Sequence, residues 1–218
     1  MRNRLIVITM AAGLSSLAYM PFATSEIGRG ELNLSTWIAF PVLSALVFGT
    51  LAAIGIWIAD RTDIPMPLLR RLEGRRDETV NVGSSVRATL VWSIPAAVMI
   101  VAVTKALSLP TTPGTISERL LTTPFAALNV QIVVLLLGAS LIYALMRRNT
   151  SLTVMLGGLG LALLHSLLGA DYGTTALIAQ AIMNGAMGAV FTWLYLKHGF
   201  EFAILGHALA HMIVMTFA

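Results

Sequence analysis

The sequence predicts an all-α fold, a polytopic transmembrane helical bundle of about seven spans, on three observations. Of 218 residues 57% are hydrophobic and 11% charged, where a soluble domain carries about 25% charged residues. Apolar runs long enough to cross a bilayer recur from one end of the chain to the other. The basic residues are confined to short clusters between those runs, as in membrane proteins whose loops are sorted by charge.

Composition also removes classes of function. There is no cysteine, so disulfides, thiolate metal sites and cysteine nucleophiles are excluded. A pI near 10.0 would suggest nucleic acid in a soluble protein, but in a membrane chain arginines mark retained loops. Membrane lipid is the expected partner, and nucleic acid is not.

The first run, residues 5–23, follows Arg2 and Arg4 and reads as an uncleaved span rather than a removed signal. Residues 36–59 form a second span and 86–106, containing Pro95, a third. Residues 122–146, 151–168, 174–196 and 199–217 follow, each within the roughly 17 to 25 residues that cross about 30 Å of hydrocarbon. No linker divides them, so 1–218 is expected to be a single integral membrane domain. With seven spans, Arg2, Arg4, Arg61, Arg70, Arg71, Arg75, Arg76, Arg87, Arg147, Arg148 and Lys197 fall on one side. Arg29, Lys105 and Arg119 fall on the other, which predicts a cytoplasmic N-terminus and an outer C-terminus. The expected location is an inner membrane of bacterial type.

Between the second and third spans, IPMPLLRRLEGRR places Leu68, Leu69 and Leu72 on one helical face with Arg70, Arg71, Arg75 and Arg76 around them. Such a segment is expected to lie in the headgroups as an interfacial amphipathic stretch, its arginines drawn to anionic lipid. A solvated linker is the competing reading.

Polar residues inside spans are expensive in lipid and face a bundle interior or cavity. His207 and His211 are one helical turn apart in the last run, and His165 lies in the fifth. At about 1.5 Å per residue the three reach overlapping depths. They are the candidate metal ligands, with zinc the possible cofactor. Gln180 and Asn184 form another pair four apart, and Asn129 and Gln131 stand in the fourth span. These amides are candidates for a supporting shell, or for ordinary bonding between helices.

The stretch LALLH at Leu161 to His165, followed some forty residues later by FTWLYLKHGFEFAILGHALAH, resembles two motifs of the CPBP family of intramembrane metalloproteases. These are the CAAX-protease and bacteriocin-processing, or Abi, proteins. His165 matches the histidine of FxxxH, with Leu161 where Phe is usual. His207 matches the first position of HxxxN, and His211 stands where Asn or Asp is usual. IGIWIADRTDIPMPLLRRLEG resembles the stretch linking early spans, so the resemblance covers Ile54 to the C-terminus.

The family's EExxxR motif falls on Ile132 to Gly138, where there is neither acid nor arginine, and Val133 and Val134 stand at the glutamate pair. The nearest glutamate, Glu118, precedes that position in an outer loop. Without a base, the general acid–base contribution of about 10² to 10⁴ in rate is missing. The resemblance thus implies a pseudoprotease, a non-catalytic scaffold holding a membrane-protein partner. The alternative is an active zinc endopeptidase on His165, His207 and His211, since three imidazoles and a water can bind zinc. A tetrapyrrole-binding or transport protein is a third reading, because an intramembrane histidine can also ligate a haem-type metal.

Overall fold

The computed structural model describes residues 1–27, 34–75, 77, 80–109, 115–168 and 173–218; the side chains of 21–27, Leu34, Glu118, His165 and Leu168 lie outside that description. Arg29 and Arg76 lie outside it altogether. The described chain is helical with no strand. Its helices are α1 (Arg2–Ile27), α2 (Leu34–Arg61), α3 (Pro67–Arg71), α4 (Val82–Ala106), α5 (Ile116–Leu121) and α6 (Thr123–Phe125). Two π-helical stretches, Ala126–Val130 and Ile132–Ala139, lead into α7 (Ser140–Leu145), and α8 (Thr150–Leu168), α9 (Thr174–His198) and α10 (Phe200–Phe217) complete the chain.

Six helical segments are long and apolar enough to cross a membrane: Arg2–Met20, Ser35–Arg61, Val82–Ala106, Arg119–Leu145, Thr174–His198 and Phe200–Phe217. The protein is a multi-pass helical membrane protein. The expected fifth span is α8, a helix of 19 residues whose described apolar stretch, Thr150–Leu164, is shorter than the others.

Lipid tails are as apolar as leucine, so burial of hydrocarbon cannot hold these helices together, and close approach at small residues must. Between α8 and α9 a Cβ on Gly158 would lie 2.7 Å from the Gly185 carbonyl, and one on Gly188 would lie 2.7 Å from Leu161 Cβ. A Cβ on Gly157 would overlap Thr192 and one on Gly185 would lie 3.3 Å from Ala162 Cβ, so partners descend α9 as they ascend α8 and the two are antiparallel. On α4, Ser85, Thr89, Ser93 and Ala97 recur every fourth residue and are fully buried. This stripe faces α10, where a Cβ on Gly206 would come within 2.5 Å of Ser93 Oγ. Gly55 of α2 lies directly against the Leu136 carbonyl in the second π-helical stretch.

One end of the bundle is tied by charge. Arg4, fully buried, donates to both Asp60 oxygens at 2.9 and 2.7 Å and to Glu73 at 3.2 Å, and the amino group of Met1 also bonds Glu73. Arg70 pairs with Asp77 at 2.7 Å and with Asp60 at 3.5 Å. The segment after α2 is thereby drawn into the protein. Ile64, Met66 and Leu69 are buried in the core while Leu68 and Leu72 are exposed, so the three leucines do not share the lipid-facing side expected of them. Only five residues there are helical, and Arg71 and Arg75 remain exposed.

The same end positions the start of α10. Gly199, at φ 109°, is the single residue between α9 and α10, and a Cβ on it would meet Pro67 Cδ at 2.7 Å and the Pro65 carbonyl at 2.9 Å. Glycine alone tolerates both the backbone and the contact. Two residues on, Glu201 Oε1 accepts the Leu69 backbone N–H at 2.6 Å, locking α3 onto α10.

Candidate intramembrane histidine site

The sharp turn at Gly199 sends α10 back alongside α9 and the fourth span, and its two histidines face that span. The Gln131 amide lies 2.6 Å from His207 Nδ1, and Thr123 Oγ1 lies 3.0 Å from His211 Nδ1. Phe191 of α9 stacks on His207, with centroids 4.9 Å apart and planes 28° from parallel. The two imidazoles are 6.1 Å apart between centroids and inclined at 71°. The histidines are half-buried, whereas Thr123 and Gln131 are buried.

The amide and the imidazole each offer a donor and an acceptor, so the contact serves either tautomer of His207 according to which way the amide is turned. Gln131 Oε1 is left buried with no hydrogen-bond partner among the described residues. Among those residues no three His, Asp or Glu side chains group as metal ligands.

Zinc sites use four ligands, with imidazole nitrogens at about 2.0 to 2.1 Å. Histidine ligands usually donate their other N–H to an acceptor outside the metal. His165 is carried by α8, and its side chain, like that of Glu118, lies outside the described residues.

The other expected residues divide. Asn129 is fully buried but turns to α1, donating to Ser16 Oγ at 3.1 Å and to the Ala12 carbonyl at 3.3 Å. Gln180 and Asn184 are half-buried on α9. They precede Phe191 by eleven and seven residues, which at 3.6 per turn sets all three on one face. Neither amide makes a side-chain hydrogen bond among the described residues.

Val133, at the expected glutamate pair, is 39% exposed and faces outward, and Ile132, Leu135 and Leu136 are fully buried in apolar packing. The fourth-span side chain that reaches the histidine is Gln131 instead. Thr123, Phe191 and Glu201 were not among the residues the sequence singled out. A threonine or phenylalanine within a span is unremarkable in composition, but Glu201, an acid inside an apolar run, was a readable signal. No protein-family profile, curated protein or solved structure matches the chain.

Proposed function

We propose that the protein is a non-catalytic member of the CPBP type, a seven-span scaffold that holds a membrane-protein partner rather than cutting it. The observation that carries this is the 2.6 Å bond from Gln131 to His207. A hydrolytic site needs a group beside the histidines that can take a proton from water. At that position stands a glutamine, the uncharged amide counterpart of glutamate, which cannot.

Support for a partner comes from Gln180 and Asn184. In hydrocarbon an amide without a hydrogen bond costs several kcal/mol, by about 2 to 7 depending on the reference. Two such amides on one face of α9, half-exposed, are matched by a polar group on an incoming transmembrane segment. In this reading α8 completes the seven spans. The end bearing Arg4, Arg71 and Arg75 then lies at the cytoplasmic side of a bacterial inner membrane, and α10 ends outside.

The test combines cleavage, metal content and crosslinking. Detergent-purified protein should leave a prenylated or membrane-spanning peptide intact, and should carry no zinc beyond a His165→Ala control. Cleavage abolished by His207→Ala would establish the zinc endopeptidase reading instead. A photo-crosslinker at Gln180 should capture a protein in native membranes, whereas one at Ile182, 68% exposed on the opposite face, should capture lipid. Lipid adducts at both positions would remove the partner.

A further inference from the structure

On the lipid-facing side of α2, Leu43, Val47, Ile54 and Trp57 form an exposed stripe that ends at exposed Arg61. The Arg61 guanidinium lies over the Trp57 ring, 3.9 Å from its centroid. An indole and a guanidinium one turn apart at the end of a span are suited to the headgroup level of a bilayer. Arg61 has no ion pair among the described residues.

The turn after α7 is fastened to this spot. Arg148 donates to the Arg61 carbonyl at 2.8 Å and to Asp63 at 2.9 Å. Asp63, Arg147 and Arg148 have φ of 59°, 52° and 64°, left-handed conformations that L side chains adopt at a cost. Of the described non-glycine residues with positive φ, only Ser108 lies elsewhere. Backbone strain of this kind gathers where a side chain must be presented in a set way.

Arg148 and Asp63 neutralise one another, but Arg147 does not share in the bond. Its side chain is exposed and has no ion pair among the described residues. Leu141 and Leu145, exposed at 45% and 66%, lie just before it on α7. The junction of α2 and α7 thus joins two unpaired guanidinium groups, an indole and a leucine-lined flank running into the bilayer.

We propose that Trp57, Arg61 and Arg147 form a headgroup site for an anionic phospholipid, with the phosphodiester between the two guanidinium groups. Arginine's planar fork suits phosphate oxygens, and stacking on Trp57 holds one fork ready. The acyl chains then follow the exposed flanks of α2 and α7. This is a local site, distinct from the general attraction of Arg71 and Arg75 to a charged surface.

Native mass spectrometry of the purified full chain after exchange with phosphatidylglycerol or phosphatidylcholine tests it. The wild type should retain phosphatidylglycerol preferentially, and Arg61→Gln and Arg147→Gln should each lower that preference about fivefold. Arg71→Gln with Arg75→Gln should leave it unchanged. Arg61→Lys, which keeps the charge but not the planar stack, should lower it while leaving thermal unfolding near wild type. Equal losses in the Arg71 and Arg75 double variant would mean diffuse charge and overturn the site. So would an Arg61 and Arg147 double variant that keeps the preference, or displacement of the lipid by millimolar inorganic phosphate.

Discussion

The amide nitrogen of Gln131 lies 2.6 Å from Nδ1 of His207, a bond between a π-helical stretch of the fourth span and the middle of α10. It joins two helices through residues 76 positions apart. Gln131→Leu should lower stability by about 1 to 3 kcal/mol, because the buried imidazole nitrogen loses its partner. Combining it with His207→Leu should recover part of that loss in a double-mutant cycle, measured by thermal unfolding in detergent. Additive losses would show that the two do not act together.

His211 pairs with Thr123 across the same two elements. His211→Asn keeps a polar group and should be tolerated. His211→Leu should cost about 1 to 3 kcal/mol by leaving the threonine hydroxyl unpaired. If His211→Asn were the damaging change, and added zinc restored stability to the wild type but not to the variant, metal binding would be the role of this histidine.

Gly55 sits against the Leu136 carbonyl, where a Cβ would overlap backbone that cannot rotate aside. Gly55→Ala should therefore destabilise by about 1 to 3 kcal/mol through forced separation of α2 from the fourth span. Gly160, in α8, has nothing within 4 Å of its Cβ position. Gly160→Ala should be neutral or stabilising by up to about 1 kcal/mol. Equal melting temperatures for the two variants would show that the α2 contact is looser than described.

Partial burial of the Glu73 carboxyl works against its ionisation, but the Met1 amino group and the Arg4 guanidinium outweigh this and hold it below the usual carboxylate range. With the folded value below the unfolded one, the stabilisation is complete above about pH 4.3 and is lost as pH falls through the folded value. Thermal unfolding across that acid range should show the loss, and Glu73→Gln should flatten it. An unaltered acid limb in Glu73→Gln would assign the effect to other carboxylates.

The alternation of the helices sets Arg75 and Ala218 at opposite ends of the bundle. Cysteines introduced singly at these positions should label from opposite faces of sealed vesicles, that at Arg75 from the cytoplasmic side. Labelling of both from one face would contradict the seven-span topology.

The sequence by itself determined the class and the approximate bounds of six long apolar helices, because crossing hydrocarbon demands such helices whatever their neighbours. It also determined that His207 and His211 share a face, since four residues make about one turn of any α-helix. Partner identity was a tertiary matter. Asn129 and Gln131, two residues and about half a turn apart, bond to α1 and α10 respectively, and spacing sets them on different faces without saying which helix each face meets. Nor could spacing show that Arg70 would be drawn toward Asp60 and Asp77, or that Leu69 would be buried beneath Glu201 while Leu68 faces out. Those outcomes rest on ion pairs and contacts between residues up to 132 positions apart, which exist only once the helices have assembled.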